Sequence, residues 1–296
     1  MNASHTSTQA MRALFTLLRP HQWSKNLLVF VPLLSAHLWM DSIAIGHSVL
    51  VFIAFCLASS SIYVVNDAVD VENDRQHPTK KHRPFASGAL PSRMAFWLTP
   101  MLILAAVAIT FTLPEPARWL IAIYLTLSLS YCFILKPLLW LDVLTLAALY
   151  TLRVLAGAAA IAVPVSPWLA GFSLFMFFGL AAVKRYGELR ATKASNLSGR
   201  GYTAEDALPV ICLGSGSTMV SIMVLSLYLN SENVHELYRQ EEWLWLVGPT
   251  LLYWQSRLWT LAHRGVITRD PLSFALRDGV SWACAGVCLV LFSLAI

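Results

Sequence analysis

Charge is what this chain has least of. Asp, Glu, Lys and Arg together make up 12% of its 296 residues, about half the roughly 25% usual in soluble domains. With 57% apolar residues and a mean hydropathy of +0.62, this excludes an ordinary water-soluble protein. Paired cysteines are missing too. Cys56, Cys132, Cys212, Cys284 and Cys288 all fall in apolar segments, are odd in number and have no CxxC spacing. That excludes a disulfide framework and a cysteine metal site, and predicts buried free thiols. There is no low-complexity run and no Gly/Ser linker, so one transmembrane domain over 1–296 is expected, with residues 1–11 disordered. The first apolar run follows a polar lead of about two dozen residues and lacks a small-residue cleavage site, so the first helix is expected to stay in the mature protein.

What is present in quantity is long apolar sequence. Segments of about 17 to 25 mainly apolar residues cross a bilayer as helices. Such segments can be read at about 27–45, 47–66, 95–113, 118–135, 141–162, 168–184, 207–229, 242–261 and 279–296. The expected fold is therefore all-α and integral to the membrane, with nine transmembrane helices. The net charge of +5 is distributed unevenly. Arg12, Arg19 and Lys25, then Arg75, Lys80, Lys81, Arg83 and Arg93, then Lys136, then Lys184, Arg185, Arg190, Lys193 and Arg200, then Arg264, Arg269 and Arg277 crowd alternate connections. The opposite connections hold little beyond Arg118 and Arg239. By the positive-inside rule the basic connections and the N-terminus face the cytoplasm, and a bacterial inner membrane is the expected location.

The stretch from Asn66 to Arg83, NDAVDVENDRQHPTKKHR, is the richest in chemistry. If it continues the preceding helix, Asn66, Asp70 and Asp74 recur at i, i+4 and i+8, and Asp67 joins the same face three residues before Asp70. Carboxylates this close repel one another unless cations neutralise them or water screens them. Hard oxygen donors of this kind suit Mg²⁺, which shares its shell with water and substrate phosphate. The alternative is a solvated acidic helix end, but ionisable residues at membrane depth are costly and favour function. His77, Lys80, Lys81 and Arg83 follow, with Pro78 and Pro84 interrupting any helix. They read equally as a phosphate clamp or as a basic loop beside anionic lipid.

Other polar residues read two ways. Lys25 follows Arg19-Pro20-His21-Gln22-Trp23-Ser24 and either snorkels beside an interfacial Trp23 or binds phosphate. Tyr150 and Arg153 share a face of the fifth span. Arg153 sits mid-span and needs a partner, which a phosphate or a carboxylate would supply, while Asp142 is more than two turns away. Lys184, Arg185, Tyr186, Glu188 and Arg190 close the sixth span. They are either stop-transfer residues at a helix C-terminus or a cationic partner to the acidic stretch, the two holding a polyanion from opposite sides. Glu188 is then a salt-bridge partner or a metal ligand. Asp270-Pro271 starts a short amphipathic helix ending near Gly279, which reads as a plain surface helix.

NDxxDxxxD after the second span resembles the first aspartate-rich motif of the UbiA superfamily of intramembrane prenyltransferases. The longer string from Asn66 to Gly88, RPHQWSKN (Arg19 to Asn26), YCFILK (Tyr131 to Lys136), Tyr150-x-x-Arg153-x-x-Ala156-Gly157, KRYGEL (Lys184 to Leu189) and ALRD (Ala275 to Asp278) are similar to its decaprenyl-phosphate phosphoribosyltransferase branch. The resemblance implies nine helices around a central cavity, Mg²⁺ on Asn66, Asp70 and Asp74, and a lateral opening for a polyprenyl chain. Prenyl-transferring members carry a second DxxxD after the sixth span, where this chain has KRYGEL. That departure points to 5-phosphoribosyl diphosphate (PRPP) as donor and a polyprenyl phosphate as acceptor. The residues implied are Lys25, Asn66, Asp70 and Asp74 at the reacting centre, with Asp67, Lys80, Arg83, Tyr150, Arg153, Lys184, Arg185, Tyr186 and Glu188 around the substrates. An aromatic prenyltransferase of quinone synthesis is the second reading, and a transporter or lipid-binding protein the third. The expected partners are the bilayer and the two substrates, with no nucleic acid, and a homo-oligomer is left open.

Overall fold

The structure is a computed structural model that describes residues 11–76, 79–191, 199–231, 234, 237–268 and 270–296. His77, Pro78, Lys193 and Arg269 of the basic connections lie outside the described residues, as do residues 1–10. Among the described residues the secondary structure is helical, with no strand. Helix α1 covers residues 11–18. A 3₁₀ segment, Pro20–Phe30, follows it and leads into the short α2, Val31–Ser35. The remaining helices are α3 (Ser42–Val69), α4 (Val71–Gln76), α5 (Ala95–Thr110), α6 (Glu115–Ser130), α7 (Leu141–Ala160), α8 (Pro167–Ala191), α9 (Ala207–Leu229), α10 (Val247–His263), α11 (Pro271–Ala275) and α12 (Gly279–Ala295).

Each of the nine segments read from hydropathy coincides with helical structure, but the helices differ in length. Six are long and apolar enough to cross a membrane among the described residues, and α12 is apolar but shorter. The first segment is a 3₁₀ run joined to α2 rather than one α-helix, with prolines near the start of each piece. Proline removes an amide donor and fixes φ, so it is tolerated best at a helix start. Among the boundaries that moved outward, two bear on the motifs. The second span runs to Val69 instead of residue 66, and the sixth to Ala191 instead of residue 184. Asp67 and the whole KRYGEL segment therefore lie on membrane-length helices. The thiols are all free, but only Cys56 is buried and Cys212 is exposed, so the expectation of five buried thiols holds at one position. The short helix at Asp270 ends at Ala275, because Gly279 already opens α12.

The chain forms two compact units. The first comprises residues 1–132 and 152–164, the second residues 133–151 and 165–296. In the first, α3 packs against α5, α6 and the 3₁₀ segment. Leu17, Val64, Val71, Phe85, Leu90, Leu98 and Leu102 form one buried cluster that ties α1 and the loop after α4 to the end of α3. In the second, α8 pairs along its length with α9, and α10 packs on α8, α9 and α12. Gly179 and Gly214 bring these helices close: a Cβ on Gly214 would stand 2.4 Å from the Trp259 ring.

Candidate functional site

The expected ladder of oxygen donors is broken at its middle. Helix α3 stops at Val69, Asp70 is its C-cap with φ −87° and ψ 6°, and α4 restarts at Val71. Backbone bonds from Asp70 N–H to Asn66 O (3.0 Å) and from Asp74 N–H to Asp70 O (2.8 Å) keep near-helical spacing across the join. The side chains nevertheless divide into two pairs. Asn66 and Asp70 are half-buried, whereas Asp67 and Asp74 are each 2% exposed.

Buried carboxylates need compensation, and two arginines provide it. Arg83 Nη1 donates to Asp74 Oδ2 at 2.6 Å and to Asp67 Oδ1 at 3.1 Å. Arg19 Nη2 donates to the same Asp67 oxygen at 2.6 Å, and its guanidinium lies 5.0 Å from the Tyr63 ring centroid. Two carboxylates and two guanidiniums thus cancel, and the arginine side chains retain 18% and 23% exposure above acids that are almost fully covered. The repulsion within the acidic motif is relieved by the chain itself. In the sequence Arg19 is marked by its basic connection and by RPHQWSKN, and only the fold brings it to Asp67. It takes a left-handed backbone, φ 53° and ψ 56°, which is uncommon outside glycine.

Arg153 is 5% exposed on α7. Its Nε donates to Asn26 Oδ1 at 2.8 Å and its Nη2 to the Tyr124 hydroxyl at 3.0 Å. The guanidinium also lies over the Tyr124 and Phe55 rings at 4.8 and 5.8 Å. These four contacts are with an amide, a phenol and two aromatic faces. Lys25 is half-buried on the 3₁₀ segment, one residue before Asn26, and Lys80 is half-buried at the start of the short 3₁₀ turn Lys80–His82, whose C-cap is Arg83.

In the second unit the cationic end of α8 is arranged differently from expectation. Arg185 has no exposed surface. It donates to Asp142 on α7 and to Glu188 one turn on, and its Nε finds no acceptor among the described residues. Arg185 was expected to reach a substrate phosphate, but burial and two carboxylates direct it inward. Glu188 takes the salt-bridge role. Asp142 also accepts from the Tyr202 hydroxyl at 2.8 Å and from Arg200 at 3.4 Å. Tyr202 accepts in turn from Trp140 N–H at 3.1 Å. Burial and the bond to Asp142 push the Tyr202 phenol above its ordinary pKa, so it stays neutral. The loop at residues 199–206 is held close: a Cβ on Gly201 would stand 2.4 Å from the Pro137 carbonyl oxygen. Tyr186 shares a 2.8 Å hydrogen bond with His263 Nδ1 and is buried, Lys184 is half-buried, and Tyr150 donates to Asp270 at 3.2 Å and stacks on Phe177. Tyr150 and Arg153, read as sharing a face of the fifth span, lie on α7 and belong to the second and first units respectively.

Among the described residues no three His, Cys, Asp or Glu side chains gather as a metal site. Asn66 and Asp70 carry an amide oxygen and a carboxylate, and on the buried Asp74 it is Oδ2, not Oδ1, that Arg83 engages. That fits a Mg²⁺ ion, which commonly uses one or two carboxylates and takes the rest of its shell from water and substrate phosphate.

The chain matches the profile of the UbiA prenyltransferase family over residues 27–265. It is 36% identical over 269 residues to the uncharacterized protein y4nM of Sinorhizobium fredii, covering 90% of this chain and 52% of that protein. It is 36% identical over 282 residues to the nodulation protein NoeC of Azorhizobium caulinodans, covering 90% of this chain and 87% of that protein. The decaprenyl-phosphate phosphoribosyltransferase of Mycolicibacterium smegmatis is 40% identical over 207 residues, 64% of each chain. The chain therefore spans about half the length of the Sinorhizobium relative and under two thirds of the Mycolicibacterium one. The fold is that of the UbiA homolog from Archaeoglobus fulgidus bound to GPP and Mg²⁺, with a TM-score of 0.72, 14% identity, and coverage of 95% of this chain and 99% of that one.

Proposed function

The chain belongs to the UbiA prenyltransferase family, and from that premise we propose that it transfers a 5-phosphoribosyl group from PRPP to a polyprenyl phosphate, releasing diphosphate at the cytoplasmic membrane face. The observation that carries this reading is the end of α8. Where prenyl-transferring members have a second pair of aspartates, this chain has Lys184, a buried Arg185 and a Glu188 already engaged by that arginine. No second acidic pair is left there for a prenyl diphosphate and its metal. The likeness to the Mycolicibacterium phosphoribosyltransferase supports the same donor.

In the proposed reaction an oxygen of the acceptor phosphate forms a bond to ribose C1 as the C1–O bond to diphosphate breaks. The acceptor is anionic at neutral pH, so no proton needs to leave it and no general base is required. Asn66, Asp70 and Asp74 would hold Mg²⁺, which when bound supplies positive charge for the leaving diphosphate. Arg19 and Arg83, fixed from below by Asp67 and Asp74, present their remaining guanidinium donors to phosphate oxygens, and bidentate charge-assisted bonds of this kind are strong. Lys25, Lys80 and Lys184 are assigned to the 5-phosphate and the acceptor phosphate. Arg185, Tyr186 and Glu188 are assigned to holding the end of α8 and Tyr150 to holding Asp270. The remaining features proposed are nine membrane crossings, a central cavity and a lateral path for the lipid.

Labelled PRPP, a polyprenyl phosphate and Mg²⁺ incubated with purified protein should yield a labelled lipid. The label should disappear on chelation and fall at least about 100-fold in Asp70→Ala, the scale of losing one stabiliser of developing charge. A lipid fraction that stays unlabelled across acceptor lengths, with prenyl diphosphate consumed by an aromatic acceptor instead, would replace this assignment with the aromatic prenyltransferase.

A further inference from the structure

Arg83 is brought to Asp74 by a backbone anchored at other points. It ends the short 3₁₀ turn Lys80–His82 in an extended conformation, φ −63° and ψ 145°, which the ring of the following proline favours. Its N–H donates to Lys80 O at 2.9 Å and its carbonyl accepts from Ser87 N–H at 2.8 Å. Two residues on, Phe85 is 2% exposed in the cluster that ties this loop to the end of α3. Arg19 is held in a similar way. Ser60 Oγ of α3 donates to the preceding Leu18 carbonyl at 2.9 Å, and Gln22 N–H donates to the Arg19 carbonyl at 2.9 Å. Both guanidiniums meet at Asp67 Oδ1, and Arg83 continues to Asp74 Oδ2. The formal charges of these four side chains cancel.

We infer that Arg83 is a resident counter-ion that competes with Mg²⁺ for Asp74, so that the motif binds the metal weakly alone and tightly only together with a diphosphate. The cause is electrostatic. A divalent cation on Asp74 would share that carboxylate with a guanidinium whose nitrogen stands 2.6 Å from Oδ2. Two cations this close oppose each other strongly where water is largely excluded, and the anchored backbone limits how far Arg83 can withdraw. A diphosphate removes the conflict, because its oxygens accept from guanidinium donors and also ligate the metal. Asp67 completes the arrangement by holding Arg83 from a second side and drawing in Arg19. Donor and metal then enter as one complex. The inference rests on the assignment of Asp74 to Mg²⁺ and of the leaving diphosphate to this motif.

Calorimetry on full-length protein in phosphatidylcholine nanodiscs, titrated with Mg²⁺ alone and with Mg²⁺ in the presence of inorganic diphosphate, tests this without turnover. Removing the Arg83 charge should move the two ligands in opposite directions. In Arg83→Gln, Mg²⁺ alone should bind at least about tenfold tighter than in the parent, and the magnesium–diphosphate complex at least about tenfold weaker, the scale of one unit charge beside a shielded site. Arg83→Lys keeps the charge and should return Mg²⁺ affinity toward the parental value. Loss of a merely structural residue would weaken both ligands together. That result, or Mg²⁺ affinity at or below the parental value in a folded Arg83→Gln, overturns the inference. If Arg83→Gln does not fold, Asp67→Asn decides. It keeps the bond from Arg83 to Asp74 and adds one net positive charge, so Mg²⁺ alone should bind about threefold weaker or more, while the magnesium–diphosphate complex binds at least as well as to the parent. Weakening of both ligands, or unchanged Mg²⁺ affinity, refutes the competition. A parent that binds Mg²⁺ under neither condition refutes it too. A protein with the expected pattern that makes no phosphoribosyl lipid defeats the reaction assignment and leaves Arg83 as the counter-ion of Asp74.

Discussion

A single arginine nitrogen, Arg83 Nη1, is shared by two buried carboxylates, at 2.6 Å from Asp74 and 3.1 Å from Asp67. Among the described residues, removing it leaves Asp74 with no cation and Asp67 with only Arg19. Breaking such a pair typically costs about 3 kcal/mol or more, because a buried charge is left uncompensated. Arg83→Met should therefore lower the thermal midpoint in detergent markedly, and Asp67→Asn, which removes a charge along with the loss of a partner, should lower it less. Tyr202 offers a second test at this scale. Tyr202→Phe leaves Trp140 N–H without its acceptor and Asp142 with one donor fewer, at a cost of about 1 to 3 kcal/mol. The sign of its pH dependence follows from the raised pKa. The neutral phenol is favoured in the fold, so its contribution is complete below the unfolded value of about 10 and is lost as pH rises above it. An alkaline titration followed by phenolate absorbance should show one fewer late-ionising tyrosine in Tyr202→Phe than in the parent.

Between helices, the tight points are glycines and caps. A methyl group on Gly157 meets backbone rather than a side chain that could move aside. Gly157→Ala should therefore separate α7 from the 3₁₀ segment and cost about 3 kcal/mol, at the upper end for overpacking, read by the thermal midpoint. Asp278 joins two helices. It caps α12 through Ser281 N–H at 2.9 Å and binds Arg257 of α10 through both oxygens, at 2.7 and 2.9 Å. Arg257 holds the Asp278 carboxyl below the usual carboxylate range. The contribution is present above the unfolded value of about 3.9 and is lost as pH falls through the lower folded value. Asp278→Asn should lower the thermal midpoint at pH 7, with the difference from the parent narrowing in acid.

At the scale of the whole molecule, the proposed orientation, with the acidic motif on the cytoplasmic side, rests on the alternation of basic and nearly uncharged connections. In intact cells, and in a background with the five native cysteines replaced, Lys81→Cys should react with an impermeant maleimide only after permeabilisation. Arg118→Cys should react without it. Labelling of both from outside would reverse the proposed orientation.

Hydropathy by itself determined the helical membrane class and the approximate position of each apolar segment, because a bilayer demands uninterrupted internal hydrogen bonding over a fixed length. The aspartate-rich string and KRYGEL were legible for a similar reason, since charge beside apolar sequence stands out. Partner choice was not legible. Arg19 lies 48 residues from Asp67, Asn26 lies 127 from Arg153, and Asp142 lies 43 from Arg185. Local periodicity carries nothing over such separations, and any cation could in principle have met any carboxylate. Tertiary packing decided that Asp67 and Asp74 anchor arginines, that Arg185 turns inward, and that an amide holds Arg153. Each buried charge had to find a partner among the groups the packed helices bring within reach.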